Sequence, residues 1–390
     1  MTTNSDRRHR TLLFLLLVVA PVTRPTHAAD AAAKIPPTVY HRTVFLGDSI
    51  TDGNTYPQLV RDALADAGLP KMVAINAGIG GDTAAGMRGR LERDVLAFHP
   101  MLVTLSAGAN DALRHVSSGS YEKDIRAIAD RLKAEHVPLI LLTPNILGPK
   151  QQAKGQKNLD AYEAILRQVA ADYGLRVAEV NRRQKEALAG GIGQLAPDDL
   201  HPNWAGQTMI ARAVLDSMGY GEVKVPQRIA GRLLPGVIGE WKVKRLDEAN
   251  PDFTEAFVAD VKPEASWMTL KLPDPIPIPD MASDNRWLDD YRVMGAAVAL
   301  RQRPAGSYVG MAIVRSEKQT AVQFHTGATL DQVWLNGKRI YKNDWKHGYH
   351  IGRESVTAEL KQGENAIVIK TGPVFFLSIT DGAMWEEKGE

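Results

Sequence analysis

The stretch FLGDSITDG, residues 45–53, joins an apolar run to the polar beginning of a helix. The run TVFLG, residues 43–47, has the composition of a buried strand. Asp48, Ser49 and Thr51 follow at once, and such side chains accept hydrogen bonds from the free N–H groups at a helix start. A serine in this place can also act as a nucleophile when a base lies beside it. The stretch alone leaves both interpretations open.

Four further apolar runs follow at intervals that leave room for helices. These runs are MVAIN (72–76), MLVTLS (101–106), PLILLT (138–143) and LRVAEV (175–180). Three intervening stretches carry apolar residues on one helical face, namely residues 56–68, 121–136 and 159–174. The alternation predicts parallel βαβ units in a three-layer α/β/α sandwich over about residues 39–222. Ligands of such folds bind beyond the carboxyl ends of the strands, which is where Ser49 falls.

The second half of the chain, about residues 231–388, has a different pattern. Helical periodicity fades there and short β-rich runs appear, which predicts an all-β sandwich after a linker at about residues 221–230. LNGKRI (335–340) and KQGENAI (361–367) place turn residues between apolar runs, as hairpin connections do.

The N-terminus has the order of a secretory signal peptide. Three arginines at positions 7, 8 and 10 precede an apolar run of residues 12–22, and small residues follow at Ala28 and Ala29. A leader of residues 1–28 predicts export to the periplasm or the medium, and general secretion fits better than twin-arginine export. Cutting after Ala28 removes four arginines and one aspartate, so the formal charge falls from +2 to −1. A net charge of −1 gives no support for the basic surface that nucleic-acid binding requires, so no nucleic-acid partner is expected.

The absence of cysteine from the 390 residues excludes a disulfide framework and a thiolate metal site. No run outside the leader approaches the length that spans a membrane.

Polar residues that suit acyl transfer recur after the predicted strands. Gly81 and Asn110 follow the second and third strands, and Asp198 and His201 lie near the end of the α/β half. Each one alone has an ordinary structural explanation. Together with Ser49 they supply a nucleophile, an acid–base pair and donors for a developing oxyanion.

These pieces resemble the SGNH hydrolases, also called GDSL esterases or lipases. The blocks GDSIT (47–51), GGDTA (80–84), GAND (108–111) and DDLHP (198–202) occur in the order of that family. The resemblance implies a flavodoxin-like SGNH domain that needs no metal and no cofactor.

The resemblance also implies a role for each matching residue. It gives Ser49, Asp198 and His201 as the catalytic triad, and Ser49, Gly81 and Asn110 as the oxyanion hole. Asp199 competes with Asp198 for the acid position, but its spacing is expected to turn its side chain away from His201.

Other polar residues have structural interpretations. Asp48, Thr51 and Asp111 are expected to hold loops and caps, and His99, His115 and His325 show no spacing that suggests a metal.

The second half resembles, more loosely, the galactose-binding-like β-sandwich modules of polysaccharide-degrading enzymes. The NGK hairpin and the L-x-x-G-x-N stretch at residues 360–365 carry this similarity. Four tryptophans there could stack on sugar rings or fill the sandwich core: Trp287, Trp334, Trp345 and Trp385.

These features together predict a secreted serine esterase that removes O-acyl groups, above all O-acetyl groups, from carbohydrate. One alternative is a lipid-ester or aryl-ester hydrolase of the same family. Another is a carbohydrate-binding protein that has lost its activity. The sequence leaves the polysaccharide, the acyl length and the oligomeric state open.

Overall fold

The structure is a computed structural model that describes residues 1, 33–53, 55–229, 236–246, 252–271, 297–299, 306–343 and 354–381. The predicted leader lies outside these residues apart from Met1, and so do Trp287, Trp345 and Trp385. The boundaries predicted for the two halves stay predictions.

The first half contains a parallel sheet of five strands in the order β2-β1-β3-β4-β5. Its strands are β1 (Arg42–Gly47), β2 (Val73–Gly78), β3 (Leu102–Ser106), β4 (Leu139–Leu142) and β5 (Arg176–Ala178). This is the flavodoxin-like strand order, and it confirms the predicted fold class. Each strand overlaps its predicted run, although β2 continues two residues further to Gly78 and β5 is shorter than expected.

Helices cover both faces of this sheet. They are α1 (Pro37–Tyr40), α2 (Ser49–Asp52), α3 (Thr55–Asp66), α4 (Ala84–Gly89), α5 (Leu91–Asp94), α6 (Ala109–Leu113), α7 (Ser118–Ala134), α8 (Pro149–Tyr173), α9 (Val180–Ala189) and α10 (Trp204–Ser217), with a short 3₁₀ turn at Leu96–Phe98. Val44 and Leu46 face a core that includes residues of α4, α5, α7 and α8, whereas Phe45 between them faces residues of α3 and α10. Because side chains alternate along a strand, one strand supplies both cores of a three-layer fold.

The second half is a β-sandwich. Its strands are β6 (Glu240–Arg245), β7 (Met268–Lys271), β8 (Ala297–Ala299), β9 (Tyr308–Ser316), β10 (Thr320–Leu335), β11 (Lys338–Lys342), β12 (Glu354–Leu360) and β13 (Gly363–Thr380), and its described residues also include a short helix, α11 (Glu255–Ala259). Two long strands, β10 and β13, pass through both layers. Their first and second halves pair with different neighbours, and apolar residues from both layers form one core.

Two details of the second half differ from the prediction. The run TAVQFHTG (320–327) and the start of the run DQVWLNGKRIY (331–341) are separate in the sequence pattern but form the single strand β10, because irregularities near Ala328 and Leu330 let the strand bend and continue. The KQGENAI turn does not close a hairpin, and that prediction is wrong. Within the described residues β12 pairs with β10, and the chain then crosses to β13, which pairs with the other side of β10.

The crossover is held by a fully buried asparagine. Asn365 donates to the carbonyl oxygens of Lys361 and Gly363 at 2.9 and 3.2 Å and accepts from the Lys361 N–H at 3.0 Å. The NGK turn is a hairpin between β10 and β11, with positive φ at both Asn336 and Gly337.

Candidate active site

The end of β1 delivers Ser49 to the carboxyl edge of the sheet. Asp48 caps the short helix α2, since its Oδ1 accepts from the Ile50 N–H at 3.0 Å. Ser49 is the first residue of that helix. A Cβ at Gly47 would lie 2.0 Å from the Thr51 hydroxyl oxygen, so only glycine allows this tight turn. The cap belongs to Asp48, and the Ser49 hydroxyl remains available for another partner.

That partner is a histidine 152 residues further along the chain. The Oγ atom of Ser49 lies 2.9 Å from Nε2 of His201, and Nδ1 of His201 lies 2.6 Å from Oδ2 of Asp198. Oδ1 of Asp198 also accepts from the backbone N–H groups of Leu200 and His201, at 3.0 and 2.7 Å. The structure therefore joins the three predicted triad residues in one hydrogen-bonded chain.

The electrostatics of Asp198 determine which histidine nitrogen carries the proton. Burial alone would raise the pKa of Asp198, but the hydrogen bonds from the backbone and ring of His201 hold that pKa below its ordinary value. An ionised carboxylate only accepts, so Nδ1 of His201 carries hydrogen. In neutral His201 the other nitrogen, Nε2, is then free to accept from the Ser49 hydroxyl.

Asp199, the rival of Asp198, has a structural position. Its backbone has a φ of 67°, its carbonyl oxygen accepts from the Gly148 N–H at 2.9 Å, and its carboxylate lies 3.8 Å from Nζ of Lys150. The side chain is buried beside Gly148.

Gly81 and Asn110 come from the loops after β2 and β3. Gly81 has a φ of 76°, which disfavours any residue with a side chain, and its carbonyl oxygen accepts from Nη2 of Arg114 at 2.7 Å. Nδ2 of Asn110 donates to Oδ2 of Asp48 at 3.2 Å, which uses one of the two N–H bonds of the amide. Among the described residues, no acceptor is found for the backbone N–H of Ser49 or of Gly81.

Buried carboxylates tie these loops to each other. Both oxygens of Asp111 accept from the Ala84 N–H, at 3.1 and 3.2 Å. Burial raises the pKa of Asp48 to about 7 and the pKa of Asp111 to about 6, and the two carboxylates also repel each other. Burial likewise raises the pKa of Asp52 to about 7.

The sequence pattern missed Arg90. This side chain is 7% exposed and donates to Oδ2 of Asp82 at 2.7 Å, to Oδ2 of Asp94 at 3.3 Å and to the Gly47 carbonyl oxygen at 2.9 Å. The four-residue spacing of Arg90 and Asp94 indicates a helix pair, but nothing local indicates the bonds to Asp82 and Gly47.

The described part of the chain has neither a metal-binding cluster nor a membrane-spanning helix. No group of three or more histidine, aspartate or glutamate side chains there is arranged to hold a metal ion. None of the helices there combines the length and apolar character needed to cross a membrane.

Comparison with known proteins identifies similar chains. The GDSL-like lipase/acylhydrolase family matches residues 45–209. An acetylxylan esterase of Geobacillus stearothermophilus is 27% identical over 213 residues, which cover 47% of this chain and 96% of that protein. Esterase TesA of Pseudomonas aeruginosa (strain PAO1) is 28% identical over 178 residues, covering 43% of this chain and 83% of its own length.

Solved structures also match the first half. The acetylxylan esterase Axe2 of Geobacillus stearothermophilus matches with 25% identity and a TM-score of 0.44, covering 49% of this chain and all of its own. The α/β hydrolase LAE5 from the Lake Arreo metagenome matches with 28% identity and a TM-score of 0.44, covering 47% of this chain and 97% of its own.

The family match contains Ser49, Gly81, Asn110, Asp198 and His201, and both sequence relatives named above are esterases. These findings support carboxylic ester hydrolysis as the chemistry of the first half. Residues 45–209 of this chain are therefore similar to the GDSL-like lipase/acylhydrolase family.

Proposed function

We propose that this protein is an exported serine esterase that removes acyl groups, chiefly acetyl groups, from carbohydrate. The observation that carries the catalytic part is the hydrogen-bonded chain from Ser49 Oγ through His201 to Asp198. A serine hydroxyl is a weak nucleophile until a base takes its proton, and this chain offers such a base.

In the proposed reaction Ser49 Oγ attacks the acyl carbon while its proton moves to Nε2 of His201. The resulting imidazolium gives this proton to the ester oxygen of the sugar, which leaves as a hydroxyl, and the acyl group stays on Ser49 as an ester. A water molecule then attacks the acyl carbon, with His201 again accepting and returning a proton. Carboxylate is released and the serine hydroxyl is restored.

Asp198 has a supporting role in this scheme. It keeps hydrogen on Nδ1 and stabilises the imidazolium that forms during each attack. The exposed fraction of its side chain is 55% and that of His201 is 21%, so the pair lies at the rim of the site.

The oxyanion of each tetrahedral intermediate needs donors that are already in place. The backbone N–H groups of Ser49 and Gly81 and the second N–H of the Asn110 amide are proposed for this role. Removing one such donor in studied enzymes costs about 2.7–4 kcal/mol of transition-state stabilisation. Arg114 and Asp48 would hold Gly81 and Asn110 for this purpose.

The carbohydrate part of the proposal rests on three supports: the acetylxylan esterase relative, the sandwich that follows the hydrolase half, and the leader-like N-terminus. The printed name of esterase TesA specifies no sugar, so this relative is equally compatible with the rival, a lipid-ester or aryl-ester hydrolase. An acetyl ester requires the site to hold only two carbons of acyl chain, so the binding energy would come from the sugar.

Acetate release from acetylated xylan and other acetylated polysaccharides tests the substrate class, beside nitrophenyl esters from acetate to dodecanoate. We expect activity to fall steeply with acyl length and acetate to be released from at least one polysaccharide. Dodecanoate or phospholipid as the best substrate would refute the carbohydrate assignment and leave the serine chemistry standing. A folded protein that hydrolyses no ester would instead favour the non-catalytic binding protein.

Export is proposed from the first 28 residues and has its own test. The N-terminus of protein recovered from the periplasm or medium of the native cell should begin near Ala29 or Asp30. Full-length protein confined to the cytoplasm of that cell would contradict it.

A further inference from the structure

One face of the second half is packed against the first half. Phe375 and Phe376 are adjacent and both are fully buried, but they face opposite sides of β13. Phe375 belongs to the sandwich core, whereas Phe376 belongs to the apolar core of the α/β half. Val237, which bridges to Ser378 on β13, packs on the same α/β core. Phe376 is thus a side chain of the sandwich that packs into the core of the α/β half.

The neighbours of Phe376 on this face are covered as well. Ser378 is fully buried, and His325, its partner on β10, is 4% exposed and contacts the hydroxyls of Ser355 and Thr380 at 2.7 and 2.8 Å. A sheet face that pointed to solvent would not bury its polar side chains in this way.

Two short helices of the α/β half, α4 and α5, contribute to the core that includes Phe376. The core that includes Phe376 also includes Met87 of α4 and Leu91 of α5. The pKa of Arg93, on α5, is raised first by its hydrogen bond to Asp94 and further by the charges of Asp94 and of Glu354, at the start of β12. The charge of Glu354 therefore acts on Arg93 of α5, and Phe376 shares an apolar core with Leu91 of the same helix.

A series of hydrogen-bonded ion pairs connects α5 with the loop after β2 that contains Gly81, the Gly81 loop. Arg93 donates to both oxygens of Asp94 at 2.5 and 2.7 Å, and Arg90 donates to the same carboxylate at 3.3 Å. Arg90 also bonds Asp82, the residue after Gly81, and the carbonyl oxygen of Gly47, two residues before Ser49. The guanidinium of Arg90 is buried and directional in its bonding, so a shift of α5 would be expected to alter the positions of Asp82 and of the Gly47 carbonyl group.

We infer that the sandwich is a fixed structural part of the esterase site: Phe376 packs into the core that also contains Leu91 of α5, and Arg90 connects the start of α5 to the Gly81 loop and to the end of β1. Arg90 is a positioning residue in this scheme and does not touch substrate. The inference rests on the proposed esterase function.

A sandwich that only gathers carbohydrate would affect activity on polymers alone. A sandwich that positions the Gly81 loop also affects the hydrolysis of a small soluble ester, because the oxyanion of every ester meets the same donors. Nitrophenyl acetate, which has no sugar, therefore separates the two roles.

The test compares Phe376→Ala with Phe375→Ala in the full chain. Each removes a fully buried phenyl ring, but only the first removes the ring that packs into the α/β half. We expect Phe376→Ala to lower kcat on nitrophenyl acetate at least five-fold, with KM changed less than two-fold, at a temperature where circular dichroism shows a folded protein. Phe375→Ala should lower Tm but change kcat less than two-fold. Equal kcat losses in the two variants, or an unchanged kcat in Phe376→Ala, would overturn the inference.

If an alanine variant does not fold, the pair Phe376→Leu and Phe375→Leu provides the same comparison with smaller changes. Arg90→Lys tests the connection itself, because an ammonium cannot reach all three acceptors of the guanidinium. It should lower kcat while KM stays within two-fold, and a loss of Tm with unchanged kcat would mean that Arg90 is only structural. Loss of activity in Ser49→Ala from the same preparation establishes the esterase, so failure of that function is distinguishable from failure of this inference.

Discussion

The two halves of this protein use buried and half-buried polar side chains in different ways. In the sandwich, Nζ of Lys370 pairs with Asp331 at 3.0 Å and Gln332 bonds Asp252 at 2.5 Å, and both Lys370 and Gln332 are buried. These groups are occupied by one another. At the carboxyl edge of the α/β sheet, Ser49 is only part-buried and its hydroxyl faces a histidine base.

The availability of hydrogen-bond donors and acceptors decides where in the molecule chemistry can occur. A polar group whose bonding capacity is used up inside the fold holds structure, and one that keeps free donors at an accessible edge can act on a ligand. The substitution Ser49→Ala tests the hydrogen-bonded group at the accessible edge, and Lys370→Met tests a buried group whose partners lie inside the fold.

The largest expected effect is that of Ser49→Ala on hydrolysis of nitrophenyl acetate. We expect a loss of about 10⁴-fold or more in kcat/KM, because loss of the nucleophile removes the acyl-enzyme route. Steady-state kinetics with Ser118→Ala as the control measure it, since Ser118 is an exposed serine at the start of α7. Undiminished activity in folded Ser49→Ala would leave Ser49 as a helix residue without a chemical role.

The second prediction compares two adjacent aspartates. Asp198→Asn should lower kcat about 10³–10⁴-fold, because the amide can hold His201 in the wrong tautomer. Asp199→Asn should stay within about three-fold of the wild-type protein. Asparagine tolerates the left-handed backbone of Asp199, so the substitution leaves the turn intact. The same kinetic assay with both variants decides it, and the reverse order would give the acid role to Asp199.

The third prediction concerns stability and pH. Burial raises the pKa of Asp48 from 3.8 to about 7, so its contribution to stability is fully present below about pH 4 and is lost as pH rises through about 7. Asp48→Asn should therefore reduce the fall in unfolding free energy between pH 4 and pH 8, by about 1–4 kcal/mol. Urea unfolding at both pH values measures this.

Asp52 and Asp111 remain in this variant and titrate in the same direction, so some pH dependence should persist. A variant whose stability falls as much as that of the wild-type protein would show that Asp48 is ionised at little cost.

The smallest expected effect is that of Lys370→Met in the sandwich. Removing one partner of a fully buried ion pair costs about 3–5 kcal/mol, whereas an exposed pair contributes about 0–1 kcal/mol. The side chain of Asp331 is 32% exposed, so leaving it without its cation should lower the unfolding free energy by about 1–2 kcal/mol. The value of kcat on nitrophenyl acetate should stay within two-fold of the wild-type value, because Lys370 lies on the first half of β13 and Phe376 on the second half. Thermal unfolding and steady-state kinetics on the same sample check both parts. A large loss of kcat would break the contrast between the two halves.

Much of the α/β half was predictable. Its five strands follow apolar runs that are visible in the sequence, and the flavodoxin-like fold was expected from their alternation with helices and from four motif blocks. The second half was less so. The sequence pattern could not show that β12 and β13 lie on opposite sides of β10, because a turn between two apolar runs has the same composition in a hairpin and in a crossover.

Trp334 shows the same limit for a single side chain. It is 3% exposed, its Nε1 donates to Gln332 at 3.1 Å and the guanidinium of Arg339 lies 5.6 Å from its ring centre. It fills the sandwich, as one of the two sequence interpretations held, and is not free to stack on a sugar. An alternating strand pattern shows that a residue faces one side but not what covers that side.

The sequence by itself determined the strand-forming runs, the glycine turn that presents Ser49 and the residue types needed for acyl transfer, because apolar periodicity and backbone preference act over a few residues. The tertiary structure was needed to show that His201 reaches Ser49, that Arg90 bonds the carbonyl oxygen of Gly47, and that Phe376 packs into the other half. Those contacts join distant parts of the chain. Their geometry depends on how whole layers pack, and no local pattern encodes it.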